Sequence, residues 1–121
     1  MDRRIRTYKS NSRSKYGNIK FKMDGFTFDS KAEARRYAEL KILLRAGEIK
    51  DLELQKEFEL QPAFRDAEGK MVRPIRYIAD FVYTDVKTGK TIVEDVKGHR
   101  TDVYKLKKKM LAYKGIIIKE T

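Results

Sequence analysis

Residues 77–98 read YIADFVYTDVKTGKTIVEDVKG, two apolar arms joined by a polar turn. Val, Ile, Phe and Tyr dominate both arms, which predicts β-strands over about 75–83 and 90–97, and Gly89 suits a position of positive φ between them. The arms nevertheless carry three charged side chains: Asp80, Asp95 and Lys97. Charges in the most apolar segment of a small domain need a structural or a chemical reason.

The length of the turn decides how these charges meet. A four-residue loop, 86–89, places Asp80 directly opposite Asp95. A two-residue loop, 88–89, places Asp80 opposite Lys97, and a three-residue loop needs a bulge to bring the three side chains to one face. Facing carboxylates about 5 Å apart at Cβ repel each other, and an Asp80–Lys97 ion pair would satisfy one acid only. Mg²⁺, which accepts one or two carboxylates with several waters, resolves the conflict, and a structural salt-bridge network is the alternative.

Composition restricts the chemistry further. The 121 residues carry a net charge of +11 with a pI of about 9.8, and hydrophobic residues make up 40% of the chain, enough for a core. This balance predicts a polyanionic partner such as nucleic acid. Cysteine is absent and His99 is the only histidine, which excludes disulfides, thiolate chemistry and cysteine-type zinc sites. No apolar run approaches the length of a membrane span and no signal peptide is evident, so we expect a cytoplasmic protein without a membrane partner.

The rest of the chain predicts one domain, 23–121, after a flexible basic arm, 1–22. The arm holds eight Lys or Arg and one acid, and three of its arginines are predicted DNA contacts: Arg3, Arg4 and Arg6. The pattern predicts a helix over 31–46 ended by Gly47, a strand over 52–61, the two strands above, a helix over 102–113 and a last strand in IIIK, 116–119. This order predicts a mixed α+β fold with a central mixed sheet.

Glu33 supplies a third carboxylate. Ser30 to Glu33 read SKAE, a capping box in which Ser30 bonds the N3 amide and Glu33 reaches back. At 100° per residue Glu33 also heads a stripe with Tyr37, Leu40 and Leu44, which we expect to face the sheet. Capping and a role in a metal site are compatible.

The pattern of Asp80, then Asp95-Val96-Lys97, with an upstream helix glutamate, resembles the PD-(D/E)XK nuclease superfamily. The segments KYGN, FDSKAEARRYAEL, YIADF and VEDVKG look like a family of small prophage-encoded proteins of this superfamily, some relatives of which are Holliday-junction resolvases. The resemblance implies a restriction-endonuclease-like core of helix, three-stranded meander, helix and strand. It implies metal binding by Asp80 and Asp95 with Glu33, and a catalytic role for Lys97. Ala79 replaces the proline of the motif, and Glu94, the alternative second acid, should face away from Asp80.

We therefore expect an Mg²⁺-dependent endodeoxyribonuclease, with Mn²⁺ able to substitute, acting on branched or junction DNA. Val103, Leu106, Met110 and Tyr113 are the predicted core face of the second helix. The predicted DNA contacts in this region are Lys105, Lys108, Lys109, His99 and Arg100. Paired cleavage of a junction requires a homodimer. The alternatives are a non-enzymatic basic DNA-binding protein on a nuclease-like fold, a nickase without structural preference, and a protein-interaction module.

Overall fold

The computed structural model describes residues 20–96 and 101–121, in an α+β arrangement. The elements in chain order are β1 (Phe21–Met23), β2 (Phe26–Phe28), α1 (Lys31–Arg45), β3 (Ile49–Gln61), β4 (Phe64–Arg65), β5 (Met71–Val72), β6 (Ile75–Asp85), β7 (Thr91–Asp95), α2 (Asp102–Tyr113) and β8 (Ile118–Glu120). The chain divides into two compact units, 1–48 and 49–121, and each is described by itself. Neither helix is long and apolar enough to cross a membrane.

In the first unit, α1 packs on the β1–β2 hairpin. The rings of Phe28 and Tyr37 lie 5.2 Å apart, and Tyr37 is buried together with Ala34 and Leu40. Leu44 is exposed, so the predicted apolar stripe of this helix is shorter than expected because its last turn lies beyond the hairpin contact. The end of α1 is as predicted, since Gly47 has a φ of 79° that suits glycine.

The second unit contains a four-stranded mixed sheet in the order β3-β6-β7-β8. Strands β3, β6 and β7 are antiparallel, and β8 joins β7 in parallel, which confirms the predicted mixed sheet. β3 begins at Ile49, three residues earlier than predicted, and β8 ends at Glu120 rather than Lys119. Around the predicted loop 65–70, β4 and β5 form a short hairpin.

Helix α2 covers one face of this sheet, but with a different face from the predicted one. Tyr104 and Leu111 are buried against a core of sheet residues: Leu60, Tyr77, Ala79, Val82, Val93 and Ile118. The predicted core residues Val103, Leu106 and Tyr113 are exposed. The helix is rotated because the Tyr104 hydroxyl reaches Glu120 on β8 at 2.6 Å, which brings Lys108 to the same carboxylate. Lysine can take this position since its aliphatic stem packs while its ammonium stays polar.

Candidate active site

The turn between β6 and β7 has the four-residue form. The strands pair Phe81 with Glu94 and Val82 with Val93, and Asp85 N donates to Lys90 O at 2.9 Å to close loop 86–89. Gly89 in that loop has a φ of 76°. Continuing this register by one residue places Asp80 opposite Asp95, which is the first of the three alternatives derived from the sequence.

The faces of β6 do not alternate regularly between Ala79 and Val82. Ala79 and Val82 lie in the same core cluster although simple alternation would send them to opposite faces. Ile78, two residues before Asp80, is exposed. The neighbouring strand is irregular at the same level: β3 pairs with β6 on either side of Gln55, whose own φ is 54°.

Both carboxylates have hydrogen-bond donors within the sheet. Val96 N donates to Asp80 Oδ2 at 2.8 Å, and the Tyr77 hydroxyl donates to Asp95 Oδ2 at 2.6 Å. Asp80 and Asp95 are each half-buried. One oxygen of each carboxylate is thus oriented by the fold.

Tyr77 links the two acids electrostatically. Burial raises its pKa most, followed by the hydrogen bond to Asp95 and the negative charges of Asp95, Tyr104 when ionised, and Asp80. Because the pKa lies far above its ordinary value, the hydroxyl stays protonated and remains a donor at neutral pH.

Glu120 is an acid of this region that the sequence analysis missed. It pairs with Asp95 in the parallel β7–β8 ladder and accepts hydrogen bonds from Tyr104 OH at 2.6 Å and from Lys108 Nζ at 3.1 Å. The sequence does contain a signal for Glu120. It lies two residues after Ile118, so the two side chains share one face of the strand when the strand extends to residue 120. Within 20–96 and 101–121, however, no three acidic or histidine side chains are close enough together to hold a metal ion.

Glu94 lies on the opposite face of β7 from Asp95, as alternation predicts. It is completely buried, and it accepts hydrogen bonds from the Tyr83 hydroxyl and from Thr121 Oγ1. A buried carboxyl group with two hydroxyl donors is a structural feature of the sheet. Glu94 therefore does not join Asp80.

Glu33 lies in the first unit, where it takes part in the predicted capping of α1. Ser30 Oγ accepts from Glu33 N at 3.1 Å, and Glu33 Oε1 accepts from Asp29 N at 3.3 Å. The back-reaching bond is made one residue earlier than in the standard capping box, where the N-cap amide is the donor.

The remaining predicted site residues fall into two groups. On α2, Lys105 and Lys109 are exposed while Lys108 is held by Glu120. The other predicted residues lie outside the described part of the chain: Lys97, His99, Arg100, Arg3, Arg4 and Arg6. Thr101, next to this gap, caps α2 by accepting from Tyr104 N at 3.1 Å, so one amide of the first turn is already engaged.

Comparison with known proteins identifies one family. Its model, described as a protein of unknown function (DUF1064), matches residues 13–121. No curated protein and no solved structure matches the chain. Because the family model spans nearly the whole sequence, the chain belongs to the DUF1064 family.

Proposed function

We propose that this protein is a metal-dependent DNA endonuclease that hydrolyses phosphodiester bonds, with branched DNA as its substrate, on a restriction-endonuclease-like core. The observation that carries the proposal is the four-residue β6–β7 connection. Its register, continued one residue beyond the Phe81–Glu94 pair, would put Asp80 and Asp95 at facing positions. A sheet gains no stability from two facing carboxylates, so their placement suggests a chemical role.

The donor set fits a hard divalent cation. Asp80 and Asp95 are both half-buried, and one oxygen of each is fixed by a hydrogen bond, from Val96 N and from Tyr77 OH respectively. Mg²⁺ typically binds one or two carboxylates together with waters and phosphate, so two such acids match its usual ligands. When bound there, Mg²⁺ or Mn²⁺ would acidify a water molecule and neutralise charge on the phosphate. Tyr77 would keep Asp95 oriented through its protonated hydroxyl. A metal-binding role for Glu33, which caps α1 in the first unit, stays a prediction.

Lys97 is the proposed cationic group of the reaction. It follows Asp95 by two residues, and in an extended chain it would share the face of Asp95. Its ammonium would orient the attacking water and neutralise the developing charge on the phosphate.

The charge of the chain supports DNA as the substrate. The net charge is +11, and Lys105 and Lys109 on α2 are exposed. Together with His99, Arg100 and the arm arginines, they would contact phosphates without reading bases, which suits recognition of branched DNA by shape. Symmetric cleavage of a four-way junction would require a homodimer. A prophage origin and a cytoplasmic location are parts of the same proposal.

A non-enzymatic DNA-binding protein is the competing function. The observation that favours it is the hydrogen bonding of each acid within the sheet, since Asp80 and Asp95 would then be structural acceptors. It predicts DNA binding that is indifferent to Mg²⁺ and to the charge of Asp80. A nickase that cuts plain duplex DNA as well as branched DNA is the alternative enzymatic function.

The test is cleavage of a four-way junction, a flap and a plain duplex with Mg²⁺, Mn²⁺ or EDTA. Wild type is compared with Asp80→Asn, Lys97→Ala and the control Asp102→Asn, which makes the same charge change at the exposed start of α2. Metal-dependent paired cuts in the junction, lost in the first two variants and kept in the control, are expected. Equal cutting of all substrates would leave a nickase. DNA binding without cleavage, equal in wild type and Asp80→Asn, would refute the nuclease.

A further inference from the structure

Helix α2 carries an apolar stripe that the sheet does not cover. The side chains of Val103, Leu106 and Tyr113 are 61%, 56% and 94% exposed, and Met110 between them is half-buried at the edge of the core. We call these four residues the α2 stripe. Surface leucines scattered singly are ordinary, but a continuous row along a helix marks an interaction site.

The spacing of the α2 stripe indicates what kind of surface it fits. Steps of three, four and three residues put Val103 and Met110 at a positions and Leu106 and Tyr113 at d positions of a heptad. Such a row is a narrow seam, about the width of another helix, whereas a helix lying on a membrane needs a broad apolar face. The stripe therefore fits the apolar face of a second helix.

The charges beside the α2 stripe indicate which kind of partner helix would bind there. Lys107 and Lys109 occupy the two flanking heptad positions, e and g, and the only acid within α2 is Asp102 at its beginning. A second copy of α2 would bring lysine against lysine in either orientation, e to g in a parallel pair and e to e in an antiparallel pair, which is repulsive. Acidic residues at the flanks of the partner would form attractive pairs instead. Phosphates would also attract these lysines, but they make no use of the apolar seam.

We propose that the α2 stripe binds an amphipathic helix of a partner protein whose apolar seam is flanked by Asp and Glu. The inference uses neither Asp80 nor Asp95, and Lys109 is the one residue of the proposed DNA contacts that it also uses. Val103, Leu106 and Tyr113 are exposed and lie outside the core that Tyr104 and Leu111 join, so substitutions at these three positions leave the core intact.

The test uses a synthetic helical peptide with a leucine seam and glutamate flanks, and a matched peptide with lysine flanks. Binding to the full chain is measured by fluorescence anisotropy at physiological salt. We expect the acidic peptide alone to bind wild type. Leu106→Ser should weaken its affinity about tenfold, as the loss of one buried leucine predicts, while Ala112→Ser, an exposed position off the stripe, should change it less than about twofold. Lys109→Glu should weaken it about fivefold, and Lys105→Glu, the same charge change away from the seam, should not.

Four outcomes would overturn the proposal. Equal binding of both peptides, or of neither, would show that the seam and its flanks do not select an acidic helix. Equal losses in Lys109→Glu and Lys105→Glu would reduce the effect to net charge. A wild-type dimer in sedimentation that Leu106→Ser dissociates would make a second copy the occupant. Loss of duplex DNA binding in Leu106→Ser, with peptide affinity unchanged, would make the stripe part of a DNA-contacting surface.

Discussion

Replacement of Asp80 by asparagine tests whether the facing acids are a metal site or a structural pair. Asparagine has nearly the same shape and keeps an oxygen that can accept the hydrogen bond from Val96 N, now 2.8 Å long. It removes only the negative charge opposite Asp95. A structural role and a metal-binding role therefore predict different responses to Mg²⁺.

The magnitudes can be worked from the geometry. Two charges about 5–6 Å apart at an effective dielectric constant of about 20 repel by roughly 3 kcal/mol, and half exposure reduces this to about 1 kcal/mol. The neutral amide, however, accepts its hydrogen bond more weakly, at a cost of about 1 kcal/mol. The two effects nearly cancel, so without metal Asp80→Asn should change the free energy of unfolding by less than about 1 kcal/mol. Mg²⁺ at ten times its Kd should stabilise wild type by about 1.4 kcal/mol, a rise in Tm of about 5 °C, and the variant hardly at all.

The assay is thermal unfolding followed by circular dichroism, in EDTA and over a series of Mg²⁺ concentrations. Asp102→Asn is the control, because it removes the same charge from the exposed first turn of α2 and should respond to Mg²⁺ like wild type. An equal rise in Tm for wild type and Asp80→Asn would refute the reasoning, since Mg²⁺ would then bind elsewhere. An unchanged Tm of the wild type in Mg²⁺ would also refute the reasoning.

Three further predictions concern individual side chains. Tyr77→Phe should lower the free energy of unfolding by about 1.5 kcal/mol, because it removes a buried hydroxyl donor from the Asp95 carboxylate; an unchanged urea midpoint would contradict this. Gln55→Gly should raise the free energy of unfolding by about 1 kcal/mol, because the φ of 54° at Gln55 is more costly for a residue with a side chain than for glycine. A lower free energy of unfolding in urea denaturation would contradict this prediction. Burial and the hydrogen bond to Asp24 raise the pKa of Tyr37 from 10.0 to about 12, so the folded state holds this proton more tightly than the unfolded state. The resulting stability is complete below pH 10 and lost as pH rises to about 12, and Tyr37→Phe should show a shallower fall in that window when urea denaturation is repeated across it.

The parts of the fold that local chemistry determines could be predicted from the sequence. Ser30 and Gly47 marked the two ends of α1 because capping hydrogen bonds and a positive φ are properties of single residues. The apolar arms gave the β6–β7 hairpin. The sequence left three registers open, because the composition of loop 86–89 is compatible with more than one length, and the Asp85–Lys90 backbone bond decides among them.

The parts that depend on contacts between distant elements could not be predicted. The apolar stripe of α2 is the strongest pattern in that helix, yet the sheet packs against Tyr104 and Leu111 instead. On this face Tyr104 and Lys108 donate hydrogen bonds to Glu120 of β8, an acid far from them in the sequence that the pairing of β8 with β7 positions. Periodicity predicts that a helix is amphipathic, but it does not tell which of two partly apolar faces is covered.

The change of face along β6 between Ala79 and Val82 could not be predicted either, because the alternating pattern of a strand contains no signal for where the alternation stops. Gln55 of β3, between the residues that pair with Phe81 and Ala79, has a φ of 54°. Irregular strand positions redirect side chains, and in proteins they are common beside active sites. Here the break allows Tyr77 to lie on the same face as Asp95, which regular alternation from Val82 would forbid.

Glu94 and Asp95 show how adjacent acids can take unlike roles on one strand. Glu94 points to the face where the Tyr83 and Thr121 hydroxyls surround it, and it is fully buried. Asp95 points to the other face, where it is half-buried and accepts a hydrogen bond from the Tyr77 hydroxyl. An acid enclosed by hydroxyl groups has no path to a metal or a phosphate, whereas an acid at the accessible end of a strand has one. If chemistry occurs on this sheet, Asp95 is therefore the member of the pair that takes part in it, and Glu94 is the member that holds β7 against its neighbours.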